Sequence, residues 1–308
     1  MNADWVAASV RARALAQRRV GAGASRNIAA QLSLSDGLSL LANTVYADLL
    51  GNAPTLAAAE RATRETVLWQ LRVLAGWMPA TGTRLARAAA GAYERDNILN
   101  LARGLTDGQT TAEPFDLGSL ESAWPRLQLV TTAEELTDTL RTSPWGDPGP
   151  GTATALRDIL TLVWLHRLSE VWAAARPWAV AVAALTVARV RLVDGAEPSA
   201  RMRQLVRPLL GDRWGNAENL ADLQAVLPRT AQTALREIST PDDLWRAETR
   251  LRATVETDGV RLLRSSLPGP DVVLGSMAVL AMDAWRVRAA LAAAASGTGS
   301  SEVLDAVA

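Results

Sequence analysis

Apolar positions recur every three or four residues through long Ala/Leu/Arg segments, and these segments are broken by Gly, Pro and Ser. Alternating apolar runs are few and short. The pattern predicts an all-α protein. Its breaks fall at 106–119, 143–151, 194–199 and 265–271, and the run beginning SGTGSSE near the end predicts a frayed tail.

One predicted helix, YERDNILNLARG (93–104), departs from its own pattern. Tyr93, Asn97, Leu101 and Gly104 share a face flanked by Ile98, Ala102 and Leu105, and Glu94 and Arg95 are expected to turn away from it. Asn97 therefore stands where an apolar side chain is expected. An amide buried without partners costs about 1 to 3 kcal/mol. Two readings follow: a satisfied structural tie to a neighbouring backbone, or part of a site.

A helix-start signal recurs. SLSDGL (33–38), TTAEEL (131–136) and STPDDL (239–244) each place an acidic side chain three residues after Ser or Thr, as a capping box requires, and each ends in a leucine that can open a buried face. After the first two comes a second match, TVYAD (44–48) against SPWGD (143–147), with hydroxyl, aromatic and aspartate in step. Arginine-bearing helices close each stretch: NILNLAR to Arg103, ALTVARVR to Arg189, and AWRVRAAL around Arg288. Three repeats of roughly a hundred residues are expected, an ordinary domain size. They divide the chain at 1–118, 119–215 and 216–308.

Composition removes several function classes. All 32 basic residues are arginine and are balanced by 32 acidic ones, so no global field draws nucleic acid or anionic lipid. With no cysteine there is no disulfide, thiolate nucleophile or cysteine metal site, and a reducing cytoplasm is the natural setting. The first residues lack the pattern of a signal peptide. The longest uncharged apolar run, 177–188, falls short of the roughly 20 residues that cross a bilayer.

Candidate chemistry is thin. His166 and Glu170 share a helical face, but no third metal ligand stands nearby. VGAGAS (20–25) lacks the Gly-Lys-Ser/Thr ending of a phosphate loop, and the chain holds no lysine. Glu134/Glu135 and Asp242/Asp243 sit in helix-opening turns, where negative charge complements the dipole. In RARALAQRR (11–19), Arg11 and Arg18 share one face of an amphipathic helix and Arg13 lies on another, which suits either a solvated face or a surface for an acidic partner. Neither a catalytic group, a metal nor a cofactor is expected.

Taken in order, WVAASVRARALAQRR, LSLLANTVYADLL, YERDNILNLARG and SMAVLAMDAWRVRAAL resemble the C/d family of rotary-ATPase stalk proteins, called C in the archaeal and bacterial A/V-type enzymes and d in vacuolar ATPases. The sharpest elements are Trp5 with Arg11, Arg13 and Ala14; Leu41, Thr44 and Tyr46; and Tyr93, Asp96, Asn97, Ile98 and Arg103. The resemblance implies three similar helical domains in a funnel with pseudo-threefold symmetry. It implies a non-catalytic rotor role: one copy seated on the cytoplasmic end of the membrane proteolipid ring, receiving the shaft subunits and carrying torque, with no nucleic acid and no direct lipid binding. Its structural or partner-binding candidates are Arg11, Arg13, Arg18, Tyr93, Asp96, Asn97, Arg103, Asp283 and Arg288, with Asp96 and Asn97 locking their helix to its neighbours. The second repeat departs, with Val182 and Ala183 at the Asp96 and Asn97 positions; the third keeps an acid, Asp283, and has Arg286 in place of the asparagine. Two alternatives stand beside this reading: a free-standing helical scaffold that lost the ATPase context, and an enzyme with a pocket in a helical bundle.

Overall fold

The computed structural model describes residues 4–51, 53–108 and 112–299. These residues are all-α, with no strand among them. The chain begins with α1 (Asp4–Gln17), α2 (Gly21–Ala29), α3 (Leu34–Ser39) and α4 (Ala47–Leu50), then a long pair, α5 (Leu56–Trp77) and α6 (Thr83–Asp107). Next come α7 (Trp124–Leu127) and α8 (Ala133–Arg141), followed by α9 (Ala153–Val171) and α10 (Arg176–Ala188), which runs on as a π-helix over Arg189–Val193. Last are α11 (Ala200–Leu210), α12 (Leu220–Val226) and α13 (Arg229–Ala234), followed by α14 (Leu244–Leu263) and α15 (Pro270–Ser296). Short helices followed by a long pair thus occur three times.

The helix starts sort into two kinds. Thr55 and Thr152 open the first helix of a long pair, each accepting from the amide three residues on. Ser33 and Thr132 open α3 and α8 in the same way, through Asp36 N and Glu135 N. The third signal, STPDDL, belongs with the long helices: Thr240 precedes a 3-10 turn over Pro241–Asp243 that leads into α14, and no backbone amide donates to its side chain. Asn219 holds the place corresponding to Ser33 and Thr132, opening α12 by accepting from Asp222 N at 2.9 Å. Sequence spacing missed it because an amide caps as well as a hydroxyl does but falls outside the Ser/Thr pattern of a capping box.

Contacts gather the chain into two compact units, Met1–Thr83 with Arg252–Ala308, and Arg84–Leu251. In the first, α15 is the central element, packed by α1, α2, α3 and α5. Its Val272, Val279, Val287 and Leu291 are fully buried. Gly275 of α15 meets Gly259 of α14 at backbone distance: a Cβ on Gly275 would lie 2.5 Å from the Gly259 carbonyl oxygen and 2.8 Å from Leu263 N. Only glycine permits that crossing.

In the second unit α10 is central, packed by α9, α11 and α13. Ala183, Ala184, Val187 and Ala188 of α10 are fully buried beside Ile159, Leu160, Val206 and Leu223. The stretch Ala173–Val193 is long and apolar enough to cross a membrane by length and composition, but 61% of its apolar window is buried inside the fold, as a core helix requires. The boundaries expected at 118 and 215 divide the chain into repeats, and neither coincides with a division between these two units.

Candidate functional site

In the first unit, Thr44 Oγ1 donates to Leu41 O at 2.8 Å and accepts from Tyr46 N at 3.3 Å. This hydroxyl-closed turn aims the Tyr46 ring inward, where it is almost wholly buried. Its phenol donates to Asp283 Oδ2 at 2.9 Å. Asp283, on α15 and 0% exposed, also accepts from Val20 N at 3.0 Å and Gly21 N at 2.7 Å. The start of α2 has no side-chain cap of its own, so a carboxylate more than 260 residues away serves its free amides. The glycine-rich VGAGAS turn is therefore filled by Asp283 and presents those two amides to no phosphate.

The second unit repeats the arrangement with other residues. Ser143 Oγ donates to Leu140 O at 2.8 Å and accepts from Trp145 N at 3.1 Å. The Trp145 ring is fully buried, and its Nε1 donates to Glu94 Oε2 at 3.0 Å. Glu94, on α6 and 1% exposed, accepts from Ser122 N at 2.7 Å, Ala123 N at 2.7 Å and Trp124 N at 2.9 Å, and from the Ser122 hydroxyl. Those amides open α7. Burial pushes the Glu94 carboxyl up, and the Ser122, Ala123 and Trp124 donors outweigh it, holding the group below its ordinary value of 4.5. Arg167 stacks over the Trp145 ring at 5.1 Å and donates to Ser122 Oγ at 3.2 Å; burial lowers its guanidinium, against the pull of Glu94. Glu121, beside this carboxylate, is pushed up by burial, by Glu94 and by Asp116.

The position of Glu94 corrects the helical count. It does not turn away from the packed face; it is the centre of that face. Asn97, one turn on, is buried and pairs with both backbone groups of Phe115, donating to its carbonyl at 2.9 Å and accepting from its amide at 2.7 Å. The amide on the apolar face is thus a satisfied tie, fixing the segment after α6 back onto it. Tyr93 is half-buried with its ring edge-on to Phe115 at 5.3 Å. Asp96 is half-buried and pairs with its own neighbour Arg95 at 2.8 Å. By helical face, Glu94 and Asn97 correspond to Asp283 and Arg286, each pair three residues apart. The acid matching Asp283 is therefore Glu94, and the Asp96 assignment is replaced.

The remaining candidates scatter. Arg13 donates to Leu263 O at 3.1 Å and Ser265 O at 2.6 Å, closing the end of α14. Arg11 is half-buried and Arg18 exposed. Arg103 is exposed and donates to Leu99 O on its own helix, at 3.4 Å; Arg288 is half-buried on α15. Arg286 is buried in a two-pronged pair with Glu256. His166 meets the Leu205 carbonyl through Nε2.

The third short set lacks the arrangement. Counting from Asn219 as from Ser33 and Thr132, Leu227 stands for Leu41 and Leu140, Thr230 for Thr44 and Ser143, and Gln232 for Tyr46 and Trp145. Gln232 donates to Leu227 O at 3.0 Å within its own loop, and α10 from Arg176 to Ala188 carries no carboxylate. No protein-family model matches the chain, and no curated protein matches it in sequence.

Proposed function

We propose that this chain is a non-catalytic central-stalk subunit of a V/A-type rotary ATPase, joining the shaft to the membrane proteolipid ring on its cytoplasmic face. The observation that carries the reading is cyclic order. The second short set packs its Trp145 against α6, the helix just before it, and the third packs α13 against α10, the last long-pair helix before it. The first set packs Tyr46 and α2 against α15, the last helix of the chain. Each set thus seats on the second helix of a pair, the first on the last helix of the chain, and this repeated seating is what supports reading three like domains. Internal order of this kind suits a part that transmits force, because a seat held by a fixed polar joint is stiffer than apolar packing alone.

In this role Asp283, Glu94 and Asn97 hold the domains in shape, and the contacts to partners fall to exposed groups. Arg18 and Arg11 remain candidates for acidic groups of the shaft or ring; Arg13 is drawn instead to the end of α14, its Nε and Nη2 donating to Leu263 and Ser265. With no lysine and no phosphate loop, ATP binding belongs to other subunits. The test is retention on native membranes. The protein is expected to sediment with membranes holding the assembled ATPase, to bind the shaft subunits in solution, and to leave the membrane when the proteolipid gene is deleted. Undiminished membrane retention without the ring, or a micromolar dissociation constant for ATP by calorimetry, overturns the reading.

A further inference from the structure

We infer that α12 and α13 form an opening element, seated on α10 by apolar packing while one cation, Arg191, holds only the Ala217 carbonyl ahead of α12, and that this element opens before the sets held by Asp283 and Glu94. Three observations within the second unit converge on it. The first is the missing joint: Gln232 stands where Tyr46 and Trp145 donate to buried carboxylates, and it bonds within its own loop.

The second is the substitute. Beyond α10 the backbone winds as a π-helix, closed by Asp194 N to Arg189 O at 2.9 Å, which turns Arg191 toward the third set. Arg191 Nη2 donates to Ala217 O at 3.4 Å, a long bond, and Nη1 pairs with Glu197, itself 71% exposed. The polarity of the joint is reversed: a cation meets a carbonyl at the end of a 3-10 turn, where the other sets have an anion meeting amides at a helix start. Arg191 Nε is buried with no acceptor among the described residues.

The third is strain at the element's far end. Glu237, just after α13, has φ of 62°, and it is the non-glycine residue with positive φ among the described residues. The Glu197 pair lies within Arg191's own connection, so the joint to the third set is the one long bond from a partly exposed cation, and salt screens it, whereas carboxylates enclosed with their donors are not screened.

The experiment is hydrogen exchange on the full-length protein, read by mass spectrometry at low and high salt. Peptides covering 219–235 are expected to exchange about tenfold faster than those covering 33–50 and 132–147, and high salt is expected to widen the gap. Arg191→Gln should speed exchange at 219–235 and leave 132–147 unchanged, and Glu94→Gln should do the reverse. Exchange at 219–235 as slow as in the other two segments overturns the inference in the unmodified protein, whatever the variants do. Exchange there that neither salt nor Arg191→Gln alters overturns it as well.

Discussion

Asp283 with Tyr46 and Glu94 with Trp145 do the same work with no residue in common. In each, a hydroxyl three residues after a buried leucine closes a turn, the turn drives an aromatic ring inward, and the ring's polar tip meets a carboxylate that also caps a helix start. The chemistry is compensated in length. A phenol carries its donor at the far end of the ring and is met by the shorter aspartate; an indole carries its donor on the flank and is met by the longer glutamate. What is kept is the place of the negative charge, not the residue that supplies it. The two differ in load: Glu94 takes three backbone amides, a hydroxyl and an indole, and Asp283 takes two amides and a phenol.

That difference ranks the expected effects. Glu94→Leu strands the most donors and is expected to cost more than about 4 kcal/mol, with Asp283→Leu at about 3 kcal/mol, since each buried group left unpaired costs about 1 to 3 kcal/mol. Urea midpoints measure both, and an equal or reversed order breaks the comparison. Asn97→Leu removes the paired bonds to Phe115 at nearly constant size and is expected to cost about 1 to 3 kcal/mol. An unchanged midpoint would show that Phe115 finds other partners.

Acid sharpens the same contrast. The Glu94 carboxyl lies below 4.5 in the folded protein, so its stabilisation is fully present above 4.5 and is lost as pH falls below that value through the folded pKa. Glu94→Gln should flatten that part of the acid unfolding curve, as followed by circular dichroism. Glu121 has the opposite sign: raised in the fold, it favours the folded state at low pH and opposes it once ionised. Glu121→Gln is therefore expected to raise the urea midpoint slightly at pH 7, the smallest effect of the set, and a lowered midpoint would show that Glu121 has a partner worth keeping.

Reading the helix at 93–104 by sequence located Asn97 and misplaced Glu94. The count centred the packed face on Tyr93, Asn97 and Leu101, and that face lies one position round, through Ala90, Glu94, Asn97 and Ile98. A glutamate on an otherwise apolar helix face reads as solvated, because a buried charge is costly unless it is paired. Its donors, from Ser122 to Trp145, lie 28 to 51 residues away, beyond any helical spacing. The match of Asp96 to Asp283 followed residue type, whereas the fold follows the helical face.

Local chemistry determined what the sequence alone could: the all-α class from apolar periodicity, the starts of α3 and α8 from SLSDGL and TTAEEL, and the match of Thr44 and Tyr46 to Ser143 and Trp145. Each of these is settled within a few residues by backbone geometry and nearby side chains. Tertiary structure alone decided which carboxylate each aromatic meets and that the third set meets none. Asp283 and its partners are separated by 237 to 263 residues, and the burial that makes a charged bond strong exists only once those segments are packed around it.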